Sequence, residues 1–163
     1  MNPLHLTTRQ LFLLLALLGA GLSLSGFVLE YGFGVIPCKM CWWQRYAHWA
    51  VTALALFGTT TRWPRWTLSA IIAVTLGGLG IALWQFAAQH GWLPFPAACG
   101  TSAEQALASA DDLLTSMNRV KIVPCDQEGF KLFGLSLAGW NIPASLAVIS
   151  LSIFGICRSR ILK

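Results

Sequence analysis

Polar residues are scarce along this chain, and the gaps between them lay out its elements. Residues 11–29 contain no charged side chain, and 66–88 likewise contain none, with Gln85 their most polar member. A helix that crosses a bilayer needs about 20 predominantly apolar residues, so both stretches can span. Two shorter apolar stretches, 42–59 and 141–157, follow. The first contains Arg45 and His48, and the second has Pro143 where the first turn of a helix tolerates proline. The pattern predicts an all-α membrane protein, one domain over 1–163, built as a bundle of four transmembrane helices at about 11–29, 42–59, 66–88 and 141–157. Two loops, about 30–41 and 89–140, then lie on one side of the membrane. In the second, Ser102 and Gln105 read as a capping box, and Leu107, Ala110, Leu114 and Met117 repeat at helical spacing. That spacing predicts a short amphipathic helix, lying on the membrane surface or packed on protein.

Composition agrees with the bilayer as solvent. The 163 residues are 56% hydrophobic and 10% charged, with mean hydropathy +0.64. Soluble domains run about 45–50% apolar and about 25% charged, so this chain could not cover a water-facing surface. The first stretch has a rival reading as a cleaved signal peptide, with Gly19-Ala20-Gly21 as small residues for a cleavage site. The apolar run continues to Leu29, longer than a signal peptide's apolar region, and reads as a retained helix.

Charge orients the bundle. Arg9, Arg62, Arg65, Arg158, Arg160 and Lys163 lie on one side with no acid among them, a charge of +6. Lys39, Arg45, Arg119, Lys121 and Lys131 face Glu30, Glu104, Asp111, Asp112, Asp126 and Glu128 on the other, a charge of −1. Lys and Arg favour cytoplasmic loops, so both termini are expected in the cytoplasm. The net +5 then needs no nucleic acid to explain it.

That orientation puts Cys38, Cys41, Cys99 and Cys125 outside the cytoplasm and leaves Cys157 at the inner end of the last helix. Disulfides persist outside the bacterial cytoplasm, and cysteines split two and two between the outer loops suggest two of them. Cys157 reads as a buried structural thiol.

Cys38-Lys39-Met40-Cys41 is a C-x-x-C motif, the arrangement of thiol–disulfide exchange enzymes, in which one thiol is held as an available thiolate. Half a zinc site is the competing reading, but there is no second C-x-x-C, and His48 and His90 are isolated. If the second helix begins near Cys38, then Cys41, Gln44, Arg45 and His48 fall at i, i+3, i+4 and i+7 on one face. An arginine inside a spanning helix is costly and by default functional. Arg45 one turn from a thiolate can stabilise it and hydrogen-bond a ligand carbonyl; snorkelling to lipid phosphate beside Trp42 and Trp43 is the alternative. Cys99 follows Pro94-Phe95-Pro96 and Cys125 follows Pro124, so both are expected in accessible, non-helical segments.

These residues resemble the disulfide bond formation protein B (DsbB) family over essentially the whole chain. The matching positions are Pro37-Cys38 and Cys41, Gln44-Arg45, Gln89-His90, Cys99, Cys125, Phe133-Gly134-Leu135-Ser136 and Gly139-Trp140-Asn141. The resemblance implies an inner-membrane thiol:quinone oxidoreductase that reoxidises a periplasmic thioredoxin-fold oxidase of DsbA type. It implies Cys99 as the residue joined to that partner, Cys125 as its resolving thiol pairing transiently with Cys38, and Cys41 as the thiolate facing the quinone. Arg45 would polarise the quinone ring, with His90 near it; Gln44 and His48, on the helical face shared with Cys41 and Arg45, are expected as further cofactor contacts. The cofactor would be ubiquinone or menaquinone, and no metal is implied. Phe130 and Gln127 stand where the family often has Trp and an acid, which bears on partner docking. A membrane metal carrier using the outer cysteines as soft ligands is the alternative from a different class, and a tetraspan protein with inert disulfides is the blandest.

Overall fold

The computed structural model describes residues 7–35, 37–94 and 131–161, with side chains in the last segment from 133 to 158. Cys99, Cys125 and the amphipathic helix expected near 102–117 lie outside the described residues. Within them the chain forms α1 (Thr8–Phe27), a π-helical turn (Val28–Gly32), α2 (Lys39–Gly58), α3 (Pro64–Gln89), a two-stranded hairpin of β1 (Lys131–Leu132) and β2 (Leu135–Ser136), and α4 (Leu137–Ile161). Among the described residues three helical segments are long and apolar enough to cross a membrane: Thr8–Gly32, Pro64–Gln89 and Leu137–Arg158. α2 is 20 residues long, about 30 Å at the helical rise. Its sequence is less apolar because Gln44 and Arg45 are turned inward and buried.

Every helix starts before the apolar stretch that announced it, because caps lie in the polar flanks. The Thr7 side chain accepts from Gln10 N while the Gln10 side chain accepts from Thr7 N, a capping box that starts α1 at Thr8. Pro64 occupies the first turn of α3, where its missing N–H costs nothing. That helix ends on Gly91 at φ 74, with Gly91 N bonded to Ala88 O at 3.0 Å and Trp92 N to Ala87 O at 2.9 Å, a Schellman closure. Ser136 Oγ accepts from Gly139 N at 3.2 Å and so sets the start of α4. Pro143, expected in the first turn of that helix, is therefore inside it, a correction that follows from the earlier cap. The hairpin was not anticipated. It turns through Phe133 at φ 52 and Gly134 at φ 81, the two positive-φ positions of a type I′ turn.

Neighbours in sequence are neighbours in space: α1 packs on α2, α2 on α3 and α3 on α4, and α4 meets α1 more lightly. The bundle's core divides along its length. At one end Leu11, Phe12, Leu15, Val51, Ala55, Leu68, Ile71 and Val148 form an apolar cluster. The buried residues toward the other end include Gln44, Arg45, Gln85, Ser136 and Asn141. Small residues let the first two helices approach closely. A Cβ on Gly19 would lie 2.6 Å from Thr52 Oγ1 and 3.1 Å from the His48 carbonyl, and one on Gly26 would lie 2.9 Å from Arg45 Nε. The outer surface is apolar, with Leu17, Leu24, Leu56, Phe57, Leu76, Leu83 and Ile153 exposed. Lipid, rather than water, is the solvent that such a surface suits. Cys157, expected to be buried, is exposed. Ser145, Val148, Ser152 and Gly155 form the inward face of α4, and Cys157 is two residues off that row.

Candidate functional site

Cys38 is the N-cap of α2, and its Sγ accepts from Cys41 N at 3.4 Å. One turn of helix brings the two sulfurs of the C-x-x-C motif to 2.9 Å. Both are thiols, with Cys38 buried and Cys41 partly open. Cys41 is therefore the more accessible sulfur.

Three helices build what lies beneath. Gln85 of α3 donates from Nε2 to Cys38 Sγ at 3.4 Å and to Cys41 Sγ at 3.6 Å. Its Oε1 accepts from Gln44 Nε2 of α2 at 2.9 Å. Gln44 Oε1 accepts from Asn141 Nδ2 of α4 at 2.8 Å. Asn141 Oδ1 lies 2.9 Å from His48 Nε2, again on α2. An amide oxygen can only accept, so that nitrogen carries the proton. The buried amides thus satisfy one another, as buried polar groups must.

Cys41 stands in the first turn of α2, before the 42–59 apolar stretch. Its pKa is lowered from 9.0 to about 6. The hydrogen bond from Cys38 contributes most; burial opposes it, and Gln85, the Cys38 backbone and the charge of Arg45 add in that order.

Arg45 sits differently from its expected place. Its Nη1 pairs with Glu30, and its Nη2 donates to the Gly26 carbonyl at 2.8 Å. The guanidinium lies 4.8 Å from the Phe27 ring centroid and 5.0 Å from that of Trp42. The expected row of Cys41, Gln44, Arg45 and His48 is therefore split. Gln44 and His48 turn toward α3 and α4, while Arg45 turns toward α1, because consecutive residues on a helix point about 100° apart. Gln44, expected as a cofactor contact, has both ends of its amide engaged within the protein, and His48 has its Nε2 so engaged. His90 is exposed at the end of α3, its Nδ1 2.9 Å from the Phe86 carbonyl, between the rings of Phe86 and Trp92. Glu30, Gln85 and Asn141 were missed as site residues. Gln85 had a signal, as the one amide in an otherwise apolar span, and Asn141 stood among the positions that carry the family resemblance. Among the described residues no three His, Cys, Asp or Glu side chains gather where they could hold a metal ion.

Fold and site define a class: an apolar helical bundle with a C-x-x-C dithiol set into one end. A family profile described as "Disulfide bond formation protein DsbB" matches residues 8–155. The chain is 34% identical to a disulfide bond formation protein B of Aromatoleum aromaticum over 98% of this chain and 99% of that protein. It is 30% identical to one of Alkalilimnicola ehrlichii over 95% and 97%, and 27% identical to one of Marinobacter nauticus over 94% of each. No solved structure gives a significant match. The chain belongs to the DsbB family. With its three apolar helices, that makes it a bacterial membrane protein of disulfide bond formation.

Proposed function

We infer that this protein is an inner-membrane dithiol:quinone oxidoreductase. It accepts electrons from a periplasmic thioredoxin-fold oxidase of DsbA type through Cys99 and Cys125, and passes them through Cys38 and Cys41 to ubiquinone or menaquinone. The observation that carries the reading is the contact of the two motif thiols at the end of an apolar bundle, with the more accessible one held as an available thiolate. The +6 against −1 charge division supports an arrangement with this end in the periplasm and both termini in the cytoplasm.

Oxidation of the pair to a Cys38–Cys41 disulfide releases two electrons. One proton leaves from Cys38, and the other has already left the Cys41 thiolate. Gln85 steadies both sulfurs during this change, since its amide donates to each. Cys38 is only 7% exposed, so exchange with Cys125 requires its sulfur to be uncovered. The partly open Cys41 sulfur fits a redox-active ring as its electron donor, whereas Arg45, in the next turn, is paired with Glu30 and Gly26 and lies over the Trp42 ring, so it would serve such a ring through its charge. Cys41 would face the group, which supplies a two-electron, two-proton acceptor.

The test is turnover. Reduced DsbA-type protein and a short-chain ubiquinone or menaquinone are mixed with the purified protein, and quinone reduction is followed. Thiol-dependent reduction that disappears in Cys41→Ser is expected. Reduction at the parent rate in Cys41→Ser, or no reduction of either quinone by the parent, would sink the reading.

A further inference from the structure

The four polar side chains beneath the dithiol share one direction. Gln85 presents its NH2 group to the sulfurs, Gln44 presents its own to Gln85, Asn141 presents its own to Gln44, and His48 donates to Asn141. Reversing any one amide would set oxygen against oxygen or nitrogen against nitrogen at its neighbour. The direction is fixed at the sulfur end, because a thiolate can only accept, and His48 in its Nε2-protonated tautomer completes it at the other. Aligned hydrogen bonds in a low-dielectric interior polarise one another, by about 10–30% per bond.

We propose that Asn141, Gln44 and His48 are positioning residues that lock the Gln85 amide with its donors on the sulfurs, and so set how readily the dithiol ionises. The idea rests on the reading of Cys41 as the reacting sulfur. Gln85 touches the reacting atoms, whereas the other three act through it. None of the amides carries charge or passes a proton, so the effect is that of oriented dipoles. Among the described residues, the charged and titratable groups acting on Cys41 are Cys38 and Arg45 on its own helix, with Glu30 from the turn after α1 paired to Arg45. Among the described residues, α3 and α4 bring amides to this cluster, Gln85 and Asn141. His48, at the far end of the chain, is its one titratable member.

A merely space-filling role for the same residues would require only that buried amides find partners. The two differ in what happens to Cys41. The experiment takes the reduced full-length protein in detergent and measures iodoacetamide alkylation of Cys41 against pH, with peptide mapping to separate it from the other cysteines. Asn141→Leu removes the donor to Gln44 two links away from the sulfurs. The alkylation midpoint is expected to rise by about half to one pH unit, and Gln85→Leu should raise it at least as far. In the Gln85→Leu background, Asn141→Leu should add nothing, because its effect passes through Gln85. Asn141→Ser, too short to bridge Gln44 and His48, is run beside it as the milder change and should move the midpoint the same way. An unchanged midpoint in folded Asn141→Leu and Asn141→Ser, or an equal shift with and without Gln85, would overturn the proposal. No quinone or partner protein enters this measurement. The proposal therefore fails or stands separately from the dithiol:quinone assignment.

Discussion

At Arg45 a buried cation meets a carboxylate, a carbonyl and two aromatic faces, so most of its charge is answered within the protein. Glu30 sits four residues after Gly26, one turn along the same helical face, which is how both reach the one guanidinium. Removing one partner of such a pair leaves an uncompensated charge. Glu30→Ala should lower stability by roughly 3 kcal/mol, read from thermal unfolding in detergent. Glu30→Gln keeps an acceptor for Arg45 but frees its positive charge, which then favours the nearby thiolate. The parent's Cys41 should gain reactivity as pH rises through about 6 and level off above it. In Glu30→Gln that midpoint should fall, opposite in sign to the effect of Asn141→Leu. A rise in the midpoint would show that Glu30 does not screen Arg45 from the sulfur.

Among the helices, α1 and α2 are held together by the absence of side chains at their crossing. Thr52 Oγ1 donates to the His48 carbonyl at 2.9 Å, and that pair fills the space a Gly19 side chain would need. Gly19→Val should push the helices apart at that level and cost about 2 kcal/mol or more, as overpacking does. The displaced backbone carries His48, so the polar chain should suffer with it. Gly21→Ala is the control. A Cβ there meets nothing within 4 Å, and alanine's better helix propensity should leave stability equal or raised by up to about 1 kcal/mol. Equal melting temperatures for Gly19→Val and Gly21→Ala would show that the close approach carries no weight.

For the whole molecule, the apolar cluster at one end and the polar chain at the other make its two ends unlike. The expectation from charge is that the Arg62 side lies in the cytoplasm. Single cysteines introduced beside Arg62 should resist a membrane-impermeant maleimide in intact spheroplasts and react after lysis. Cys41, once reduced, should react in the intact preparation. Labelling in the reverse order would turn the protein over and place the dithiol in a reducing compartment, where a disulfide donor could not work.

How much of this was legible depends on how far apart in sequence the relevant atoms stand. α1, α3 and α4 follow from apolar stretches alone, because lipid rewards them continuously, while α2 is the least apolar of the four. Their ends do not, since Thr7, Pro64 and Ser136 act through local hydrogen bonding or a fixed φ in polar flanks that hydropathy ignores. The dithiol was equally plain, its two cysteines being one helical turn apart. Glu30 reaches Arg45 across 15 positions, Gln85 reaches Cys38 across 47, and Asn141 reaches Gln44 across 97. The sequence by itself determined that this is an apolar helical bundle bearing a C-x-x-C thiol pair, because solvent preference and motif spacing are local properties. Only the tertiary structure decided that Arg45 faces Glu30 and that Gln44 and His48 join Asn141 and Gln85. A buried polar group must bond to whatever the helix crossing brings within about 3 Å, and the crossing is set by packing along the full length of the helices.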